Sequence, residues 1–132
     1  MFLPTRDYNH FRLLLQRGKR LENFTPHSDV EYDKCIVCIH HSWTAGFAVT
    51  KEGELINLFN HGFIKGLGAM AVCHAITMGA KKLDCFDGYL PTFYNKFGFI
   101  EVSRIKFDTN YAPDGWNYSE LGAPDIVYME RS

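Results

Sequence analysis

The sequence predicts a single α+β domain built on a mixed, mostly antiparallel sheet. Three observations carry that prediction. Residues 35–59 hold three apolar, strand-like runs joined by connections too short for anything but antiparallel pairing. A glycine-rich turn, Asn60-His61-Gly62-Phe63-Ile64-Lys65-Gly66-Leu67-Gly68-Ala69, then runs into a helical stretch. Beyond it a strand, a short helix and two more strands close the chain, so helices and strands share one layer system. A length of 132 residues suits one core and is too short for two.

Residues 1–4 form a short apolar lead, read as a clipped edge strand. From 7 to 16 the apolar residues Tyr8, Phe11, Leu14 and Leu15 fall at helical spacing, with Thr5 or Asp7 as N-cap and Gly18 as the stop. Residues 17–33 are polar, anchored by Leu21 and Phe24 and broken by Pro26, which suggests a loop with one further helical turn. Residues 35–41 are nearly continuous apolar, as in a strand covered on both faces. A tight connection through Ser42 and Trp43 leads to 45–50, and Lys51-Glu52-Gly53-Glu54 is a hairpin turn into 55–59. The helix at 66–78 is apolar almost all round, which implies burial on more than one side, and Gly79 suits its C-terminal end. The strand at 83–86 should then pair in parallel through a right-handed crossover. Asp87-Gly88 is a turn, 90–96 a short helix stopped by Gly98, and 99–108 a strand with Ile100, Val102, Ile105 and Phe107 as its apolar members. Residues 109–123 have loop composition, and 124–130 form the last strand.

Composition excludes several classes. Fourteen basic and fifteen acidic residues nearly cancel, so no chain-wide field draws the protein to nucleic acid or to an anionic membrane. No apolar run reaches the roughly 20 residues of a membrane span, and no signal-peptide core is present, so a cytoplasmic location is expected. Cys35 and Cys38 have metal-ligand spacing, but residues three apart in a strand face opposite ways and no second pair matches. No metal is expected, and all four cysteines should be buried and reduced.

A strand, a glycine turn and a helix together make an anion site. The first helical N–H groups lack partners inside the helix and present a positive dipole end, to which phosphate is the usual guest. Gly66-Leu67-Gly68-Ala69-Met70-Ala71 fits the GxGxxA spelling of a dinucleotide site, with Asp84 or Asp87 at the ribose position. The antiparallel run before it argues against the successive βαβ units which that fold needs. The GxxxxGK spelling of a Walker loop is absent.

Two motifs carry a resemblance over residues 45–130. Lys65-Gly66-Leu67-Gly68-Ala69, with its Ala/Ile/Met helix and Gly79-Ala80-Lys81-Lys82-Leu83, looks like a pyrophosphate loop, helix and following strand. Phe93-Tyr94-Asn95-Lys96-Phe97-Gly98-Phe99 looks like a Tyr-x-x-x-Gly-Phe signature. Together they resemble the GNAT superfamily of acyl-CoA-dependent N-acetyltransferases. That resemblance implies a three-layer arrangement with helices on both sheet faces, from which this chain departs in a first strand that is short, at residues 1–4, or missing. It implies acetyl-CoA as co-substrate, no metal, and a small-molecule or protein amine as acceptor, with room for a homodimer. Leu58, Phe59, Asn60, Ile64, Lys65, Gly66, Leu67, Gly68 and Ala69 would hold the coenzyme. Phe63 stands where the family has Gln or Arg, which leaves main-chain amides and Lys65 to meet the diphosphate. Tyr94 is the implied acid for the leaving thiolate. His61 is the first choice of base, with Asp87 and His41 behind it. Tyr111, Trp116 and Tyr118, among acidic residues, would line the acceptor pocket. A catalytically weak or inactive GNAT-like binding or regulatory module is the alternative, and a dinucleotide-binding protein a lesser one. Small acyltransferase-like proteins of phages and mobile elements are similar in size and in the 111–116 segment.

Overall fold

The computed structural model describes residues 1–17, 27–62, 64–107 and 124–131. The chain divides into two compact units, Met1–Ala80 and Lys81–Ser132.

The first unit is a four-stranded antiparallel sheet in the order β1-β2-β3-β4, from β1 (Phe2–Pro4), β2 (Cys35–His40), β3 (Ala45–Thr50) and β4 (Leu55–Asn60). The three predicted strands and the short first strand are therefore present. Helix α1 (Tyr8–Leu15) uses both predicted caps: the Asp7 carboxylate accepts the His10 N–H at 3.1 Å, and the Thr5 hydroxyl accepts the Asp7 N–H at 3.1 Å. The extra turn in the polar stretch is α2 (Asp29–Tyr32), held by a capping box in which Ser28 and Glu31 satisfy each other's backbone N–H. Its anchor is Tyr32, fully buried. The expected anchors Leu21 and Phe24, with Pro26, lie outside the described residues.

Strand register sorts the side chains. Val37, Ile39, Ala48 and Phe59 pack with Phe11, Leu14, Leu15 and Tyr32 in one core on the α1 side. Phe47, whose neighbours in the strand point the other way, meets Phe2 and His74 of α3 (Leu67–Thr77) on the opposite face. The sheet of this unit is thus covered by helices on both faces. The all-round burial expected for α3 is not found: Leu67, Ala71, Val72 and Ala75 form one buried stripe, while Met70 and Cys73 are exposed. Small and sulfur-bearing residues raise mean hydropathy without requiring burial of every side.

The second unit is a three-stranded antiparallel sheet in the order β5-β7-β6, from β5 (Lys82–Phe86), β6 (Ile100–Ile105) and β7 (Ile126–Glu130). The parallel pairing expected for β5 is corrected here. β5 pairs with β7 along all five residues, from Lys82↔Glu130 to Phe86↔Ile126, in antiparallel register, and no parallel pair occurs among the described residues. The crossover rule fixes handedness only when both strands enter one sheet, and β4 and β5 enter different ones. Helix α4 (Tyr89–Asn95) packs on β5 and β6. β6 departs from its predicted alternation as well. A bulge between Glu101 and Ser103 puts Glu101 and Arg104 opposite Met129 and Val127, and all six residues of the strand, Ile100, Val102 and Ile105 among them, are exposed.

Candidate functional site

The predicted phosphate cradle begins where β4 ends. Asn60 turns the chain by accepting the Gly62 N–H on its side-chain oxygen at 3.0 Å. Gly62 and Gly66 have φ of +81° and +84°, the left-handed region that glycine enters without penalty. A Cβ at Gly66 would meet nothing within 4 Å, so its backbone conformation rather than crowding demands glycine. Gly66 is also the N-cap of α3, and no side chain caps the helix. The N–H groups of Leu67, Gly68 and Ala69 thus begin an 11-residue helix with no side-chain acceptor. Ile64, Lys65 and Gly66 are exposed around them. Leu67 is 1 % exposed and Phe59 is 1 % exposed, so their side chains belong to the core and only their main chains remain for a ligand.

β4 is the last strand of its sheet, and its middle is irregular. Gly46 of β3 faces Phe59 while Ala48 faces Ile56, so Asn57 and Leu58 together oppose Phe47. This is a β-bulge, and Asn57 adopts φ +51° to make it. Asparagine is the residue after glycine that best tolerates this region. Its side-chain oxygen accepts the Tyr32 hydroxyl at 2.7 Å. A bulged edge strand leaves main-chain groups outside the ladder, where an extended ligand can reach them.

His61 follows directly. Its Nε2–H donates to the Leu14 carbonyl in the last turn of α1 at 2.7 Å, its ring lies 5.1 Å from the Phe59 ring, and its N–H donates to Thr44. A carbonyl accepts only, so the proton sits on Nε2 and the basic lone pair is on Nδ1. His41, the lesser candidate, has its Nδ1 2.9 Å from the Met1 amino group.

In the second unit Tyr94 sits on α4 and is 7 % exposed, between the edges of the Phe93 and Phe99 rings. Burial, with a smaller effect from the Cys85 thiol, pushes its hydroxyl well above the usual tyrosine range. The Gly98-Phe99 pair has a structural reason: Gly98 turns at φ +92°, and Phe99 returns fully buried, its N–H reaching the Tyr94 carbonyl at 3.4 Å. Asp87 is committed elsewhere. Its Oδ1 accepts the Gly88 N–H at 3.0 Å and its Oδ2 pairs with Arg104 at 3.0 Å. Arg104 also holds Asp125 and Glu101. Tyr111, Trp116, Tyr118 and Phe63 lie outside the described residues.

All four cysteines are free. Burial raises Cys38 to about 11 and Cys85 to about 12, so both remain thiols, but against the expected burial of all four only Cys38 is buried, Cys35 and Cys85 being half-buried and Cys73 exposed on α3. Among the described residues no group of three or more His, Cys, Asp or Glu is placed to hold a metal. No described helix is long and apolar enough to cross a membrane.

No protein-family model and no curated protein matches the sequence. Solved structures do resemble the fold. An IAA acetyltransferase from Bacillus cereus matches with a TM-score of 0.64 at 15% identity, over 99% of this chain and 97% of that one. An acetyltransferase of the GNAT family from Streptococcus pneumoniae matches with a TM-score of 0.63 at 15% identity, over 98% of both chains. This chain has the GNAT fold. A ribosomal-protein-alanine N-acetyltransferase from Brucella melitensis, at 0.58 and 13% identity over 99% of this chain and 98% of that one, has the same fold. Within the GNAT fold of this chain, the cradle, the bulge and His61 belong to the first unit, and Tyr94 and Asp87 to the second. Sequence reasoning missed Tyr32. Its signals were the Ser28-x-x-Glu31 box just before it and an asparagine inside an apolar strand.

Proposed function

We propose that this chain works as one acyl-CoA-dependent N-acyltransferase domain, moving an acetyl group from acetyl-CoA to a primary amine by direct attack. The observation that carries the reading is the left-handed Gly66 leading into the uncapped N-terminus of α3, immediately after a bulged edge strand. Its donor set is main-chain N–H plus the Lys65 ammonium, which suits a diphosphate. The fold likeness to enzymes named as acetyltransferases supports the same reading.

The coenzyme supplies a thioester, activated for loss of a thiolate. The chain's residues do the rest. The amides of 64–69 meet the diphosphate, and the edge of β4 pairs with the pantetheine arm. Main-chain N–H groups of 57–59 offer hydrogen bonds to the carbonyl oxygen as it gains charge. His61 Nδ1 takes the proton that the attacking amine loses as the C–N bond forms. For the acid that returns a proton to the sulfur as the C–S bond breaks, the motif resemblance offers the Tyr94 hydroxyl, which burial keeps protonated. The acceptor is a small-molecule or protein amine, drawn by the aromatic and acidic residues of 108–125. A cytoplasmic location and a homodimer are further expectations of this reading.

Titration calorimetry with acetyl-CoA and with NAD tests binding, and thiol release across a panel of amines tests turnover. Heat with acetyl-CoA and none with NAD is the expected result. NAD binding alone would return the dinucleotide reading, and acetyl-CoA binding without turnover would leave a coenzyme-binding module.

A further inference from the structure

The β4 bulge has a tie outside its own sheet. Asn57 sits at φ +51° in mid-strand, a conformation that glycine enters freely and asparagine at some cost, and its side chain leaves the sheet toward the α1 core. There its side-chain oxygen accepts the Tyr32 hydroxyl at 2.7 Å. That hydroxyl has little freedom. It accepts the His27 N–H at 3.1 Å, so its own proton points to Asn57. The Tyr32 ring is fully buried, edge-on to Phe11 at 5.4 Å, beside Tyr8 at 5.5 Å, with the Arg12 guanidinium 5.8 Å from its centre. Arg12 in turn ties α1 to α2 through the His27 carbonyl at 3.0 Å and the Asp29 carboxylate. A chain of contacts therefore runs from the α2 capping box through Tyr32 to Asn57 in the bulge of β4.

We propose that Tyr32 is a positioning residue for acyl transfer: its hydroxyl holds Asn57 in the left-handed bulge and so sets the direction of the main-chain N–H groups at the bulge toward the acyl carbonyl. This rests on the acyltransferase reading above. Tyr32 touches no reacting atom. It acts through Asn57, because a bulge set one residue away or straightened would turn those N–H groups back into the sheet or out to water.

Glycine separates this role from plain packing, since it enters the left-handed region unaided. Tyr32→Phe removes one oxygen and keeps the ring. With acetyl-CoA and an accepted amine, kcat falls about tenfold while KM for acetyl-CoA stays within about twofold. In the Asn57→Gly background the same Tyr32→Phe change leaves kcat within about twofold of the Asn57→Gly parent. In the ligand-free protein, the amide resonances of residues 57–59 shift in Tyr32→Phe and do not shift further when it is added to Asn57→Gly. An equal loss of kcat in both backgrounds would overturn the proposal, as would unmoved amide resonances in Tyr32→Phe. The ligand-free amide measurement reads the Tyr32–Asn57 link without coenzyme. Failure of wild-type protein to bind acetyl-CoA would therefore refute the acyltransferase reading and the catalytic role built on it, recognisably apart from failure of the link itself.

Discussion

Gly46 and Phe59 face each other across β3 and β4 so closely that a Cβ on Gly46 would stand 2.8 Å from the Phe59 ring and 2.8 Å from the Cys38 carbonyl. Here glycine is needed for space. Gly46→Ala should therefore cost about 1–3 kcal/mol, because the ring or the neighbouring strand must move. Denaturant midpoints measure it, and adding Phe59→Leu should recover part of the loss. A stable Gly46→Ala protein would mean the ring has room that the packing does not show.

Gly66 makes the opposite demand, for conformation alone. Gly66→Ala meets no neighbour but must hold φ +84°, at a cost of about 1–2 kcal/mol. Because this residue aims the first turn of α3, acetyl-CoA affinity should fall about tenfold, and Gly66→Asn should retain more of it. Calorimetry on the two variants checks the order.

His61 has two separable jobs. His61→Ala loses the Nε2–H bond to Leu14, worth about 1 kcal/mol of stability, and the base at Nδ1, worth about a hundredfold in kcat. His61→Gln can restore the donor but not the base. A recovered melting temperature with kcat still low is the expected pairing.

Tyr94→Phe should lower kcat about a hundredfold and leave acetyl-CoA binding intact, since the ring stays between Phe93 and Phe99. Unchanged turnover would remove the hydroxyl from the reaction.

His40 links acidity to folding. It is buried, with Nδ1 accepting the Ser42 N–H at 3.1 Å, and burial lowers its pKa below 6.5, with smaller effects from the Met1 amino group and His41. Between the folded and unfolded values only the unfolded chain binds the proton. Stability present above pH 6.5 is therefore lost as the pH falls toward the lowered value. Melting temperatures from about pH 8 to about pH 5 should decline, and His40→Gln should flatten part of that slope. An unaltered slope would assign the effect to other groups.

What could be read from the chain divides by range. The hairpins of 35–60 and the α3 start were legible, because apolar runs, short connections and a left-handed glycine are local signals. The partner of β5 was not, since β7 lies some forty residues later and no local pattern names it. The same holds for the site. Gly66 and Tyr94 stood out by motif, whereas Tyr32 was an aromatic at the end of a polar stretch, and its meaning depends on Asn57, 25 residues away.

The bulge in β6 bears on a different hazard. Ile100, Val102 and Ile105 stand exposed on a strand at the edge of its sheet, the kind of row that invites a strand from another molecule to add itself. Such growth needs a flat, regular edge with hydrogen-bonding groups in step. The extra residue between Glu101 and Ser103 breaks that step midway, and the Glu101–Arg104 ion pair at 2.6 Å plants charge on the same short strand. An irregular strand gives up some pairing, and in return it offers a growing fibril no template to copy.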